Sequence, residues 1–166
     1  FMIRAIGKAV KNFPLINSKL QGDTIILKKN VNLGIAVSVD QGVLVPVISN
    51  CHSRSIKEIA QELASLSEKA RSGRLDPDQV KEGTLTMTNF GMSGTLIGTP
   101  IIRYGEVAII GMGAINKKVV VLEDDSMAIR SMVYVTLTFD HRVLDGMYGC
   151  GYLAALKRHL ESEINL

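Results

Sequence analysis

Between residues 132 and 139 the chain alternates: Val133, Val135, Leu137 and Phe139 point one way, Met132, Tyr134, Thr136 and Thr138 the other. A period of two over that length predicts a half-buried β-strand. Just beyond, the period becomes helical, with Leu153, Leu156 and Leu160 as the apolar stripe of a helix predicted over 147–163. Gly146, Gly149 and Gly151 weaken its start by about 1 kcal/mol each against Ala. Close packing against the preceding strand is the expected compensation.

Elsewhere the same two periods recur. Met2, Ile3, Ala5, Ile6, Ala9, Val10 and Phe13 form a helical stripe that Pro14 stops. Strands are predicted over 24–28, 33–39 and 43–48, the last two as a hairpin around Gln41-Gly42, with Pro46 marking an edge or a bulge. Ser55 and Glu58 make a capping box. The helix it opens places Ile56, Ile59, Ala60, Leu63, Leu66 and Ala70 on one face and ends at Gly73. Asp76-Pro77 starts one short helical turn, closed by Gly83. Strands over 84–90, 107–113 and 118–122 follow, and Glu123-Asp124-Asp125-Ser126 reads as a solvated hairpin tip. The loop Gly91 to Pro100 is glycine-punctuated but matches neither phosphate-binding fingerprint, so its backbone is expected to approach something closely. Hairpin-like strands with three helices spread among them predict an α+β sheet-and-helix layer fold rather than regular βαβ alternation.

The 166 residues are 46% hydrophobic and 21% charged, which suits one domain with its own core. A net charge of +3 without a Lys/Arg run argues against nucleic acid as a partner. No apolar run is long enough to span a membrane, and no signal peptide is visible. Cys51 and Cys150 fit no disulfide or metal pattern and are expected to be reduced, buried thiols in a reducing compartment. The acidic tip lacks the pattern of a calcium loop, and no metal site is expected. Phe1 opens onto a helix already in progress, so the chain is expected to be part of a larger polypeptide.

The chemistry gathers where the last strand runs out, at Asp140-His141-Arg142-Val143-Leu144-Asp145-Gly146. A histidine at a strand end suits a general base, because an unperturbed value near ~6.5 keeps it useful at neutral pH. Spacing alone favours a loop histidine with a satisfied hydrogen bond and Asp145 as a helix cap. His52 and His159 have no recognisable partner and read as structural, His159 as a surface residue near a helix C-terminus.

The stretch 140–146 resembles the DHRxxDG motif of the dihydrolipoamide acyltransferase component of 2-oxo acid dehydrogenase complexes. The resemblance runs the whole chain: Asn32 to Val37, Gly42 to Ile48, Thr84 to Gly91, Thr99 to Ile102 and Glu106 to Gly111 follow in the family's order. It implies a mixed β-sheet flanked by helices, similar to chloramphenicol acetyltransferase and N-terminally truncated. Residues 1–166 would be the major, C-terminal part of the catalytic domain, without lipoyl and subunit-binding domains. It also implies homotrimers with active sites between subunits, built into a 24-mer or 60-mer core beside decarboxylase and dihydrolipoamide dehydrogenase components. The family's C-terminus often ends in an apolar tail that contacts a neighbouring trimer; here Ile164-Asn165-Leu166 is short and partly apolar. The compartment implied is the bacterial cytoplasm, or alternatively the mitochondrial matrix.

The family reaction moves an acyl group from a dihydrolipoyl thiol, carried on a separate domain, to coenzyme A. By that resemblance His141 takes the proton of the coenzyme A thiol. The family places a Ser or Thr hydroxyl on the tetrahedral oxyanion, which maps to Thr88, with Thr86 two residues away on the same strand face as its competitor. Thr at this position occurs among succinyl-specific relatives, while acetyl and branched-chain acyl groups stay open. Asp145 orients the loop and the histidine. Thr88 and His141 are expected to act from different chains. A non-catalytic scaffold of the same fold and an antibiotic O-acetyltransferase are the competing readings.

Overall fold

The computed structural model describes residues 1–164. The helices are α1 (Met2–Val10), α2 (Ile56–Arg71) and α3 (Gly146–Ile164). The strands are β1 (Ser18–Gln21), β2 (Thr24–Leu27), β3 (Leu33–Ile35), β4 (Val37–Val39), β5 (Gly42–Leu44), β6 (Val47–Ile48), β7 (Leu85–Asn89), β8 (Ala108–Met112), β9 (Asn116–Val121), β10 (Met127–Met132) and β11 (Val135–Phe139). Asn165 and Leu166 of the tail lie outside the described residues.

A five-stranded mixed sheet in the order β11-β8-β7-β3-β6 is the frame. β8 and β7, and β7 and β3, run parallel, while β11 and β6 are antiparallel edges. The α+β expectation stands, but the centre of the sheet is parallel rather than built of hairpins. Strand pairing across long sequence separations leaves no local signal for that. One face carries Leu33, Leu85, Met87, Ala108 and Ile110, with Val135, Leu137 and Phe139 beside them. These pack with Ile3, Ile6, Tyr152 and Leu156 of α1 and α3 into one core. Burying such side chains stabilises by roughly 1.5–3 kcal/mol each.

The predicted 33–48 hairpin is present but broken twice. Ala36 separates β3 from β4 and Val45-Pro46 separates β5 from β6, so the inner halves enter the large sheet and the outer halves pair alone. Pro46 lies at the sheet's edge, where a missing N–H costs no ladder bond. The strand expected over 132–139 starts only at Val135; residues 127–132 form β10, the partner of β9. β1, the partner of β2, has no apolar alternation and was not expected. α1 stops at Val10, and Phe13 leaves its stripe to stack edge-on against Tyr148 and Tyr152. The capping box of Ser55 and Glu58 forms, and Gly73 has φ +67 past the end of α2. Ala60, expected on the buried face of α2, is exposed.

The cysteines divide. Cys51 is buried, and burial pushes its thiol up to about 12. Cys150 is exposed, against expectation, because α3 turns Gly149 rather than its neighbour inward. Of the three glycines at the start of α3, Gly149 meets the compensation expected against β11, Gly151 packs against Phe13 instead, and a Cβ on Gly146 would meet open space. A Cβ on Gly149 would sit 2.8 Å from the Phe139 ring, and one on Gly151 2.8 Å from the Phe13 ring. His52 Nδ1 accepts from the Val31 N–H, a structural role. His159 is half-buried rather than at the surface, and burial, with Lys8 and Arg158 nearby, lowers its pKa, which disfavours a positive charge at the helix end.

Candidate active site

The face of the sheet away from the core is built of small and hydroxylated residues. Gly34, Thr86, Ile109 and Thr138 form one row across the strands; Thr88, Gly111 and Thr136 form the next. Loop 91–100 presses onto this face. The Phe90 ring lies 2.7 Å from where a Gly111 Cβ would be and 2.9 Å from one on Gly98. Thr136 donates its hydroxyl to the Gly98 carbonyl at 2.8 Å, and the Ala114 N–H donates to the Thr95 carbonyl at 2.9 Å. Side chains at Gly91 and Gly113 would collide with backbone. The glycine punctuation thus serves close approach of backbone to backbone.

Thr88 and Thr86 share this face but differ in surroundings. Thr86 is 2% exposed, and its hydroxyl lies 3.0 Å from where a Gly34 Cβ would be. It faces Glu106, whose carboxylate is also buried, without closing a hydrogen bond of normal geometry. Burial pushes the Glu106 carboxyl above its ordinary value; the Thr86 hydroxyl and the Arg103 guanidinium, 3.8 Å away, pull the other way. Thr88 is half-buried near the C-terminal end of β7. Among the described residues no hydrogen bond engages its hydroxyl, which leaves it free to donate.

At the other end of the sheet, Asp140 continues β11 by donating its N–H to the Val107 carbonyl at 2.8 Å. Its own carbonyl accepts from Val143 and Leu144, turning the chain tightly. Its carboxylate takes the Arg142 guanidinium, with Nε at 3.0 and 3.1 Å from the two oxygens and a terminal nitrogen at 2.6 Å. That pairing holds the Asp140 carboxyl below the usual carboxylate range. His141 projects from this braced turn, exposed, its ring 4.8 Å from that of Phe139. Asp145 caps α3: its Oδ1 accepts from the Tyr148 N–H at 2.7 Å and its carbonyl from the Gly149 N–H. No hydrogen bond joins it to His141 among the described residues. Sequence reasoning gave Asp140, Arg142 and Phe139 no role; their places in and beside the motif were the available signal.

The strand register fixes how far apart the parts of this site lie. Thr88 is level with Thr136, two strands across, and His141 is five residues further along β11 and its turn. At ~3.3 Å per residue and ~4.8 Å per strand, that is about 15 Å or more. One chain does not bring Thr88 and His141 together.

This sheet, with its helices on one face and a histidine where the last strand ends, has a fold similar to that of chloramphenicol acetyltransferase. That enzyme superposes with a TM-score of 0.59 at 11% identity, over 96% of this chain and 75% of its own. The chain belongs to the 2-oxoacid dehydrogenases acyltransferase (catalytic domain) family, whose sequence profile matches residues 1–166. It is 37% identical over its full length to the dihydrolipoyllysine-residue succinyltransferase component of the 2-oxoglutarate dehydrogenase complex of Staphylococcus epidermidis, covering 40% of that protein. The chain thus spans about two fifths of the length of the curated relatives it matches. Among solved structures, a probable dihydrolipoamide acetyltransferase of Listeria monocytogenes superposes with a TM-score of 0.94 at 38% identity, over 97% of this chain and 68% of that one. The Azotobacter vinelandii dihydrolipoamide acetyltransferase gives 0.91 at 33%, over 96% and 66%; a serine, a histidine and an asparagine have been investigated in its catalytic mechanism. The cubic core of a pyruvate dehydrogenase multienzyme complex gives 0.92 at 34%, over 96% and 66%. The resemblance of the motif at 140–146 is thereby established over the whole chain.

Proposed function

We propose that the chain is the catalytic part of an acyltransferase that moves an acyl group from S-acyl-dihydrolipoamide to coenzyme A, in the core of a 2-oxo acid dehydrogenase complex. The observation that carries the reading is a free hydroxyl on the sheet face and an exposed, braced histidine, within a family of acyltransferase catalytic domains. The investigated residues of the Azotobacter enzyme support the assignment. Its histidine and asparagine stand four residues apart, as do His141 and Asp145. Its serine precedes the histidine by 52; Thr88 precedes His141 by 53 and Thr86 by 55.

A coenzyme A thiol near pKa ~8.5 is mostly protonated at neutral pH. The His141 imidazole takes its proton as the sulfur attacks the thioester carbonyl. The carbonyl oxygen becomes an oxyanion, to which the Thr88 hydroxyl donates. Collapse breaks the bond to the dihydrolipoyl sulfur, which leaves with the proton held on His141. Asp140, Arg142 and the Asp145 cap fix the turn that aims the imidazole.

Because Thr88 and His141 lie at opposite ends of one sheet, each site draws Thr88 from one copy and His141 from another. A homotrimer is the smallest ring we assign, and the likeness to a cubic core supports its assembly into larger particles. The lipoyl group arrives on a domain outside this chain, from the decarboxylase and toward the dihydrolipoamide dehydrogenase of the complex. The compartment is the bacterial cytoplasm. Among the described residues no helix is long and apolar enough to cross a membrane. The acyl group is assigned as succinyl, on Thr88 and on the named activity of the Staphylococcus relatives.

The test is acyl transfer between coenzyme A and dihydrolipoamide with acetyl, succinyl and isobutyryl donors side by side. Transfer that vanishes in His141→Ala supports the enzyme, and the donor ranking gives the acyl group. Trimers that transfer nothing would make the chain a scaffold.

A further inference from the structure

Glu106 takes no part in the chemistry assigned to His141 and Thr88, yet its placement is costly. Its side chain is 2% exposed, and neither carboxyl oxygen has a hydrogen-bond partner among the described residues. Burying an unpaired carboxyl destabilises a fold, whereas an apolar side chain of similar size carries no such penalty. Packing alone therefore does not account for this residue.

The surrounding backbone is shaped to hold it. Gly105, at φ +86, lets residues 103–106 reverse in a tight turn, closed by the Glu106 N–H donating to the Arg103 carbonyl at 3.0 Å. Arg103 ties the turn down. Its Nη2 donates to the Val80 carbonyl at 2.9 Å, at the end of the helical turn Pro77–Val80, and its Nη1 lies 3.8 Å from Glu106 Oε1. A Cβ on Gly83 would lie 2.9 Å from that Nη1 and 3.2 Å from Oε1, so the backbone of residue 83 packs directly against the pair. Burial favours the neutral form of the carboxyl.

The path from Glu106 to His141 is short. Val107 follows in the chain, and its carbonyl accepts the Asp140 N–H at 2.8 Å, the bond that carries β11 into the His141 turn. Arg103, Glu106, Asp140 and Arg142 also line one groove. We propose that Glu106 is a positioning residue for His141: its carboxyl end engages the Arg103 guanidinium and fixes the 103–106 turn, and that turn fixes the Val107 carbonyl from which the Asp140–His141 turn hangs. The inference rests on His141 as the base of the acyl transfer. It requires a polar end on residue 106 rather than a charge, so a glutamine serves and a leucine does not.

Steady-state acyl transfer, thermal melting and amide hydrogen exchange over residues 140–144 test this together. In Glu106→Leu, kcat should fall about tenfold or more with KM for coenzyme A unchanged, because a small displacement of the imidazole suffices. The melting temperature should hold or rise, and exchange over 140–144 should quicken. Glu106→Gln should restore most of kcat and the slow exchange. Arg103→Gln should lose activity as Glu106→Leu does, and the double variant should lose no more than the larger single loss, since both act through one turn. If Glu106→Leu fails to fold, Arg103→Gln decides: wild-type kcat and exchange there would overturn the proposal. It is also overturned if Glu106→Leu keeps wild-type kcat, if the Gln and Leu variants lose equally, or if kcat falls only in step with the melting temperature. A wild-type chain that transfers nothing would sink the acyltransferase reading and this one together, whereas the variant outcomes overturn this one alone.

Discussion

Thr88 and Thr86 share a strand face and a side-chain type, and only their surroundings separate them. Thr86 is enclosed with Glu106 and Gly34, whereas among the described residues the Thr88 hydroxyl makes no hydrogen bond. Thr88→Ala should therefore lower kcat by about 100-fold or more, the usual cost of losing an oxyanion donor, with little change in KM. Thr86→Ala should act on stability instead, read as a lower melting temperature at near-normal kcat. Glu106 makes a second prediction. Its folded carboxyl lies above the ordinary 4.5, so the native state holds a proton that the unfolded chain releases. The stability it contributes is complete below that ordinary value and is lost as pH rises through the raised one. Glu106→Gln should flatten this part of the stability–pH profile, measured by urea denaturation from pH 4 to 8. The motif at 140–146 made His141 legible at this scale, but not the brace beneath it. Whether an Asp bonds a guanidinium or caps a helix depends on a turn geometry that spacing does not reveal.

At the level of elements, the packing of α3 on β11 joins fold to site. Gly149 lets the helix close onto the Phe139 ring, and that ring lies against His141. Gly149→Ala gains about 1 kcal/mol of helix propensity but forces the ring aside at a cost of roughly 1–3 kcal/mol. The melting temperature should fall slightly, while acyl transfer should fall several-fold because the displaced ring moves the imidazole. Equal rates in the two proteins would separate the helix contact from the chemistry. α2, with its capping box, was legible almost to the residue, whereas α1 ends three residues before the stripe does. Strands were legible where one face is buried, as in β7, β8 and β11. β10 escaped because its residues are mostly exposed on both faces, and β1 because Ser18-Lys19-Leu20-Gln21 carries no apolar alternation. The 33–48 run read as two long strands because its breaks at Ala36 and Val45-Pro46 preserve the apolar pattern while redirecting the backbone.

For the whole molecule, the parallel centre of the sheet is decisive. With β7 and β8 parallel and β11 antiparallel, the hydroxyl and the histidine point from opposite ends of one layer. Neither the local pattern nor the motif contains this separation; it arises from pairings between residues far apart in sequence. The direct test is complementation between two inactive chains. Thr88→Ala and His141→Ala, produced together so that their copies mix, should regain about a quarter of wild-type transfer, the fraction of neighbour contacts in a randomly mixed ring that join an intact Thr88 to an intact His141. Each variant alone should stay inactive. Mixed oligomers with no recovered activity, formed from chains that assemble normally, would contradict a site shared between copies.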